Sequence, residues 1–180
     1  MKYMQLFALV VIAGAVLVGC KKKKNDANEE ELITTVKVIL TEVGTTTPLT
    51  FTWKDVDGPG GNAPEIDQIS LMAGKTYNCQ LQFLDESKTP AEDITAEIVA
   101  EGIEHQIYYQ PSGVNITVSG LNNDTGGLPL GTTSTWTTTT NSTGTLKLTL
   151  KHKPDGIKAA GDPVTKGETD VEVTFAARVL

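Results

Sequence analysis

Cysteine and histidine are scarce in this chain, and each shortage closes off a class of explanation. The only cysteines are Cys20 and Cys79. If Cys20 is chemically occupied, no intramolecular disulfide can form, and stability rests on packing. The only histidines are His105 and His152, so a Ser-His-Asp triad has to use one of them. No nucleophile elbow, metalloprotease helix or phosphate loop occurs, and the expectation is a protein that is not an enzyme. A glycosidase-type carboxylate pair stays open, because 22 acidic residues always include some pair at workable distance. Basic residues are the minority, with 15 Lys and Arg and a formal net charge of −7. Nucleic acid is therefore not an expected partner, since binding a polyphosphate needs clustered Lys and Arg.

What is present begins with an address. Lys2 precedes an apolar run from Leu6 to Val18 and the tetrapeptide Leu17-Val18-Gly19-Cys20. The run has the length of a signal-peptide core and is too short to span about 30 Å of hydrocarbon. The tetrapeptide resembles the bacterial lipobox, in which small residues admit a peptidase beside a cysteine that carries a diacylglyceryl group. Residues 1–19 are thus expected to be a lipoprotein signal peptide, and Cys20 the lipidated first residue of the mature chain. The alternative is an ordinary secretory signal followed by an incidental cysteine. Lys21 to Lys24 follow directly, placed to sit against anionic head groups at about 1 kcal/mol each, or to form a solvated linker. Residues 21–31 contain no apolar side chain larger than alanine, so residues 20–31 read as a charged tether. The lipid makes the membrane a partner and the outer membrane the expected location, with the face left open.

Residues 32–180 make one domain of ordinary size. Period-two alternation dominates it: Val36, Val38 and Leu40; Leu49, Phe51 and Trp53; Tyr77, Cys79, Leu81 and Phe83; Val114, Ile116 and Val118; Leu146, Leu148 and Leu150; Val171, Val173, Phe175, Ala177 and Val179. Weaker strands are expected at 66–71, 106–110 and 132–140. Eight or nine short strands broken by Gly, Pro, Asn and Asp predict an all-β fold, a single antiparallel β-sandwich of the immunoglobulin-like, Greek-key kind. Helical periodicity is nearly absent, which disfavours a doubly wound α/β fold. One short helix is expected from Thr89-Pro90-Ala91-Glu92, read as a capping box with Pro90 at the first helical position, to Gly102. Ile94 and Ile98 would face the core and close one end of the sandwich.

Three places hold candidate chemistry. Asp55, Asp57 and Asn62 surround Gly58-Pro59-Gly60-Gly61. Calcium takes oxygen ligands gathered by a tight loop, but the spacing is not that of an EF-hand, and turn formation alone also accounts for these residues. Asn122-Asn123-Asp124-Thr125-Gly126-Gly127 is a weaker version of the same pattern. The third place is the histidines: His152 continues the inward set of Leu146, Leu148 and Leu150, and His105 follows Glu101 and Glu104. They are expected to approach each other at one end of the sandwich and, with Glu104, to offer a zinc-like or haem site, or else to be strand-end histidines bonded to backbone. Cys79 reads as a small core residue. The threonine-rich run from 132 to 145 around Trp136 suits a β-branched strand and its turn.

Several stretches together resemble a group of small Bacteroidota envelope lipoproteins: 51–58 (FTWKDVDG) with Gly60-Gly61-Asn62-Ala63-Pro64, Leu84-Asp85-Glu86-Ser87 with 90–95, Glu104-His105-Gln106, Pro129-Leu130-Gly131, Lys151-His152-Lys153-Pro154 and Gly167-Glu168-Thr169-Asp170. The resemblance covers nearly the whole mature chain. Members sometimes carry the label of a type 1 periplasmic-binding fold, an α/β architecture that needs about twice this length. It implies an accessory or ligand-binding lipoprotein at the outer membrane, beside a TonB-dependent β-barrel receptor, without supplying a substrate. The alternatives are a structural or adhesive surface domain and a lipoprotein binding calcium or a transition metal such as zinc.

Overall fold

The computed structural model describes residues 32–58 and 60–180. The expectations for residues 1–31, the lipidated Cys20 among them, lie outside the described residues. Two sheets pack face to face. One holds β1 (Thr35–Glu42), β2 (Pro48–Lys54), β3 (Glu65–Ile66), β5 (Thr76–Asp85), β8 (Ile116–Ser119) and β9 (Thr133–Thr138) in the order β3-β2-β1-β5-β9-β8, with β6 (Glu92–Asp93) added beside β5. The other is four-stranded, in the order β4-β11-β10-β7, from β4 (Ile69–Leu71), β7 (His105–Ser112), β10 (Ser142–His152) and β11 (Glu168–Val179). The only helix among the described residues, α1, covers Thr95–Ala100.

The alternation read from the sequence is the alternation of burial. Val36, Val38 and Leu40 are fully buried and stand opposite Phe83, Leu81 and Cys79 across the β1–β5 pair. Leu146, Leu148, Leu150, Val173, Phe175 and Ala177 fill the space from the other sheet. Trp136 is wholly buried too. Its Nε1–H donates to Ser134 Oγ at 2.9 Å, and the Tyr109 ring meets it edge-on at 6.0 Å. Burying such a ring contributes about 2–3 kcal/mol, and the hydrogen bond removes the cost of an orphaned indole N–H.

Three expectations need correction. Eleven strands are present among the described residues rather than eight or nine, two of them only two residues long. The sheets are not wholly antiparallel, because β4 runs parallel to β11; the run 66–71 splits, its first residue pairing with Trp53 in one sheet and Ile69–Leu71 joining the other. The helix begins at Thr95, not near Pro90. Glu92 and Asp93 pair with Asp85 and Leu84, the Ile94 N–H bonds to Phe83 O, and Asp93 Oδ1 accepts from the Thr95 N–H. Sheet-edge hydrogen bonds thus take the residues that a local capping signal would place in a first turn. Ile94 and Ile98 are buried as expected.

The phase of β10 holds to its end. Between Leu150 and Lys151 the β10–β11 register shifts by one residue, and the extra residue, Asp170, lies on β11. β10 pairs with β7 without a break, His152 opposite His105 as Leu150 is opposite Ile107, so His152 continues the row of Leu146, Leu148 and Leu150 as expected. Lys151 and Lys153 are buried as well, because the opposite face of β10 is covered at this end: Lys153 reaches Gln106, Tyr108 and Asp162.

Candidate functional site

The two histidines do meet. His105 and His152 are direct cross-strand partners on β7 and β10, and their rings stack with centroids 4.9 Å apart and planes 18° from parallel. His105 is 2% exposed. Its Nδ1 lies 3.2 Å from the Glu101 carbonyl oxygen, a partner that can only accept, so Nδ1 carries the hydrogen and Nε2 the lone pair. His105 Nε2 faces Asp170 Oδ2 at 3.8 Å, and His152 Nε2 faces Glu104 Oε2 at 3.6 Å. Both distances exceed a hydrogen bond. Burial above all, then repulsion from His152 and Lys158, lowers the His105 pKa to about 4, against a smaller upward pull from the Glu101 carbonyl.

Around this pair the fold gathers buried cations. Lys153 is fully buried; its Nζ donates to Gln106 Oε1 and Tyr108 Oη at 2.7 Å each and lies 3.3 Å from Asp162 Oδ2. Burial lowers its pKa, with the Asp162 carboxylate opposing. Lys158 Nζ donates to Gly102 O at 2.7 Å and to Asp124 Oδ2 at 2.6 Å, both side chains being 1% exposed. Lys151 Nζ donates to Thr169 Oγ1. Asp162 is held down to about 2, chiefly by its bond from Lys166, with the Ala159 N–H and Lys153 adding to it. These bonds pin the connection from 153 to 167 onto the end of the sandwich. Gly167 finishes it at φ +84, where a Cβ would strike the His152 carbonyl oxygen.

The imidazole lone pairs lie in the ring planes, and two nearly parallel planes stacked one over the other cannot aim both at a single ion. No group of three His, Cys, Asp or Glu side chains arranged to hold a metal occurs among the described residues. Glu104, the third residue of the expected metal set, is on the His152 side alone. As it stands, the cluster holds each imidazole toward a carboxylate and ties the loop to the sheet.

The acidic loop closes on itself. Asp55 Oδ1 accepts from the Gly58 N–H at 2.9 Å. Asp57 Oδ2 accepts from both the backbone N–H and the side-chain amide of Asn62, at 2.9 and 2.6 Å, and these bonds lower the Asp57 pKa. In the second loop Asp124 accepts from the Gly126 and Leu128 N–H groups, and the Lys158 ammonium stands where a cation would sit. Cys79 is buried, and burial pushes its thiol up to about 12, leaving no thiolate at neutral pH.

A different kind of surface lies on the outward face of the seven-stranded sheet. A trough of about 370 Å³ crosses β1, β5 and β9, lined by Ile39, Thr41, Asn78, Gln80, Thr133 and Thr135, with Gly120 at its rim. The register makes two rungs: Thr41, Asn78 and Thr135 in one, Ile39, Gln80 and Thr133 in the next. The alternation around Tyr77, Cys79 and Leu81 already assigns Asn78 and Gln80 to the outward face, and that was the signal available in the sequence. The buried lysines had none, since a Lys-rich run reads as solvated until the 153–167 connection is seen to cover it. No protein-family model, curated protein or solved structure matches the chain.

Proposed function

We propose that this chain is a non-enzymatic, lipid-anchored β-sandwich of the outer membrane that acts as an accessory or ligand-binding component, beside a TonB-dependent uptake receptor. The observation that carries the reading is the order Leu17-Val18-Gly19-Cys20, then four lysines, then a charged stretch with no apolar side chain larger than alanine, in the first 31 residues. A tether of eleven residues reaches at most about 40 Å and typically about 20 Å, which keeps the domain at the membrane surface. Support for the entry point comes from Thr34, the second residue after the tether with a buried side chain: its N–H and Oγ1 both bond to Leu84 O, beside the Lys54–Glu86 ion pair. The non-enzymatic reading is supported by the use of both histidines, Lys153 and Lys158 inside the fold, where a substrate would have to displace packed structure.

Metabolic labelling with a palmitate analogue tests the anchor. The parent chain should take up label and Cys20→Ala should not; label on the Cys20→Ala chain would overturn the proposal. The receptor association is tested by co-purification from outer membranes, with a TonB-dependent barrel as the expected companion.

The structural or adhesive alternative gains from one observation, the threonine- and amide-rich outward face. Co-purification of a polysaccharide or adhesin in place of a receptor would favour it.

A further inference from the structure

We propose that the trough across β1, β5 and β9 binds an uncharged, polyhydroxylated ligand, a stretch of neutral glycan. The proposal rests on reading the chain as a binding module rather than an enzyme. Neighbouring strands lie about 4.8 Å apart, and residues two apart along a strand about 6.7 Å. The two rungs therefore make a grid of roughly 10 by 7 Å, the footprint of one or two sugar rings.

The side chains on that grid are of one chemical kind. Asn78 and Gln80 each present a carbonyl acceptor and an NH₂ donor, and the threonines present hydroxyls that do both. A vicinal diol likewise donates and accepts at once, so the sets are complementary. None of Thr41, Asn78, Gln80, Thr133 and Thr135 uses its side chain in a hydrogen bond to another described residue, whereas Gln82, next outward on β5, is tied to Asp93 at 3.0 Å. The grid is thus left open to solvent where its own continuation is occupied. Ile39, half-buried, offers the apolar contact that the C–H face of a sugar ring needs.

Charge argues for neutrality of the ligand. No charged residue lines the trough. Lys75 beyond its one end is paired with Glu42 at 2.5 Å, and at the other end Lys37 stands opposite Gln82 in the register. The chain as a whole is acidic. An anionic polymer would lose hydration without gaining a counter-charge. A peptide strand finds no free backbone edge on a sheet face. Gly120, at φ +59, keeps the rim low, since a Cβ there would press to 3.3 Å from Thr135 Oγ1.

The experiment uses the full lipidated chain, isotope-labelled and in detergent, titrated with short neutral oligosaccharides of glucose, mannose and galactose and with an oligouronate. The side-chain NH₂ resonances of Asn78 and Gln80 are followed. At least one neutral sugar at about 10 mM, tenfold above a millimolar Kd, should shift both resonances saturably, and the oligouronate should not. Asn78→Ala with Gln80→Ala should weaken binding at least about tenfold. Should that pair disturb the fold, Asn78→Asp with Gln80→Glu keeps the shapes and adds repulsive charge, with the same expected loss. Tighter binding of long dextran than of its fragments marks a surface polysaccharide as the source, and equal affinity marks a free sugar. No shift with any neutral sugar, equal binding of the uronate, or shifts unaltered in both variant pairs would overturn the proposal. Labelling at Cys20 is read independently, so a failed ligand leaves the anchor standing.

Discussion

The sandwich treats its polar residues in two opposite ways. At the end where β7, β10 and β11 meet the 153–167 connection, charged side chains are buried, and Lys153, Lys158, Asp124 and Asp162 answer one another at 2.6–3.3 Å. On the outward face across β1, β5 and β9, polar side chains are uncharged, and those of Asn78 and Gln80 bond to none of the described residues. Burying a charge is tolerable only when it is paired and hydrogen-bonded, so the first region is committed to holding the fold. The second costs little to leave solvated and is free to meet a ligand. A density of titratable groups therefore marks structure here, and their absence marks the surface open to binding.

The strongest way to break this comparison is to orphan a buried charge. Asp124→Ala leaves the Lys158 ammonium without its carboxylate and should destabilise the domain by about 3–5 kcal/mol in equilibrium denaturation. A loss under about 1 kcal/mol would mean that the pair is solvated.

Acid should act on the same end through His105. Its folded-state pKa lies below the ordinary histidine value, so the unfolded chain binds the proton more readily. The stability contributed is complete above pH about 6.5 and is lost as pH falls toward about 4. The loss should reach about 3 kcal/mol at most. His105→Gln should flatten that part of the stability–pH curve.

Gly167→Ala probes how tightly the connection closes over His152. It combines a positive φ with a collision against a backbone carbonyl and should cost about 2 kcal/mol or more, read as a lowered denaturation midpoint. The smallest expected effect belongs to the face: Asn78→Ala with Gln80→Ala should change unfolding free energy by no more than about 0.5 kcal/mol. A large loss there would erase the distinction between the two regions.

The face was more legible in the sequence than the end. Period two assigns Asn78, Gln80, Thr133 and Thr135 outward with no knowledge of partners, because a sheet face depends only on local alternation. The same logic gave the inward rows of β1, β5, β10 and β11. It gave no sign that Lys151 and Lys153 are buried, because their face is covered by contacts made later in the chain, with Thr169 and Asp162. It failed at Glu92 and Asp93, because pairing with residues of β5 is a long-range bond that a capping pattern cannot register. The meeting of His105 and His152 was readable from their places at strand ends. Their stacking and the surrounding lysines depended on register and on the fold of the 153–167 connection, which no local pattern encodes.

The most direct test of the division is hydrogen exchange at side-chain nitrogens near neutral pH. Exposed lysine ammonium protons exchange too fast to be seen by NMR, whereas buried, hydrogen-bonded ones persist. The account predicts visible ammonium signals for Lys153 and Lys158, together with Asn78 and Gln80 amide protons exchanging as in a free side chain. Missing lysine signals alongside protected Asn78 and Gln80 amides would contradict it.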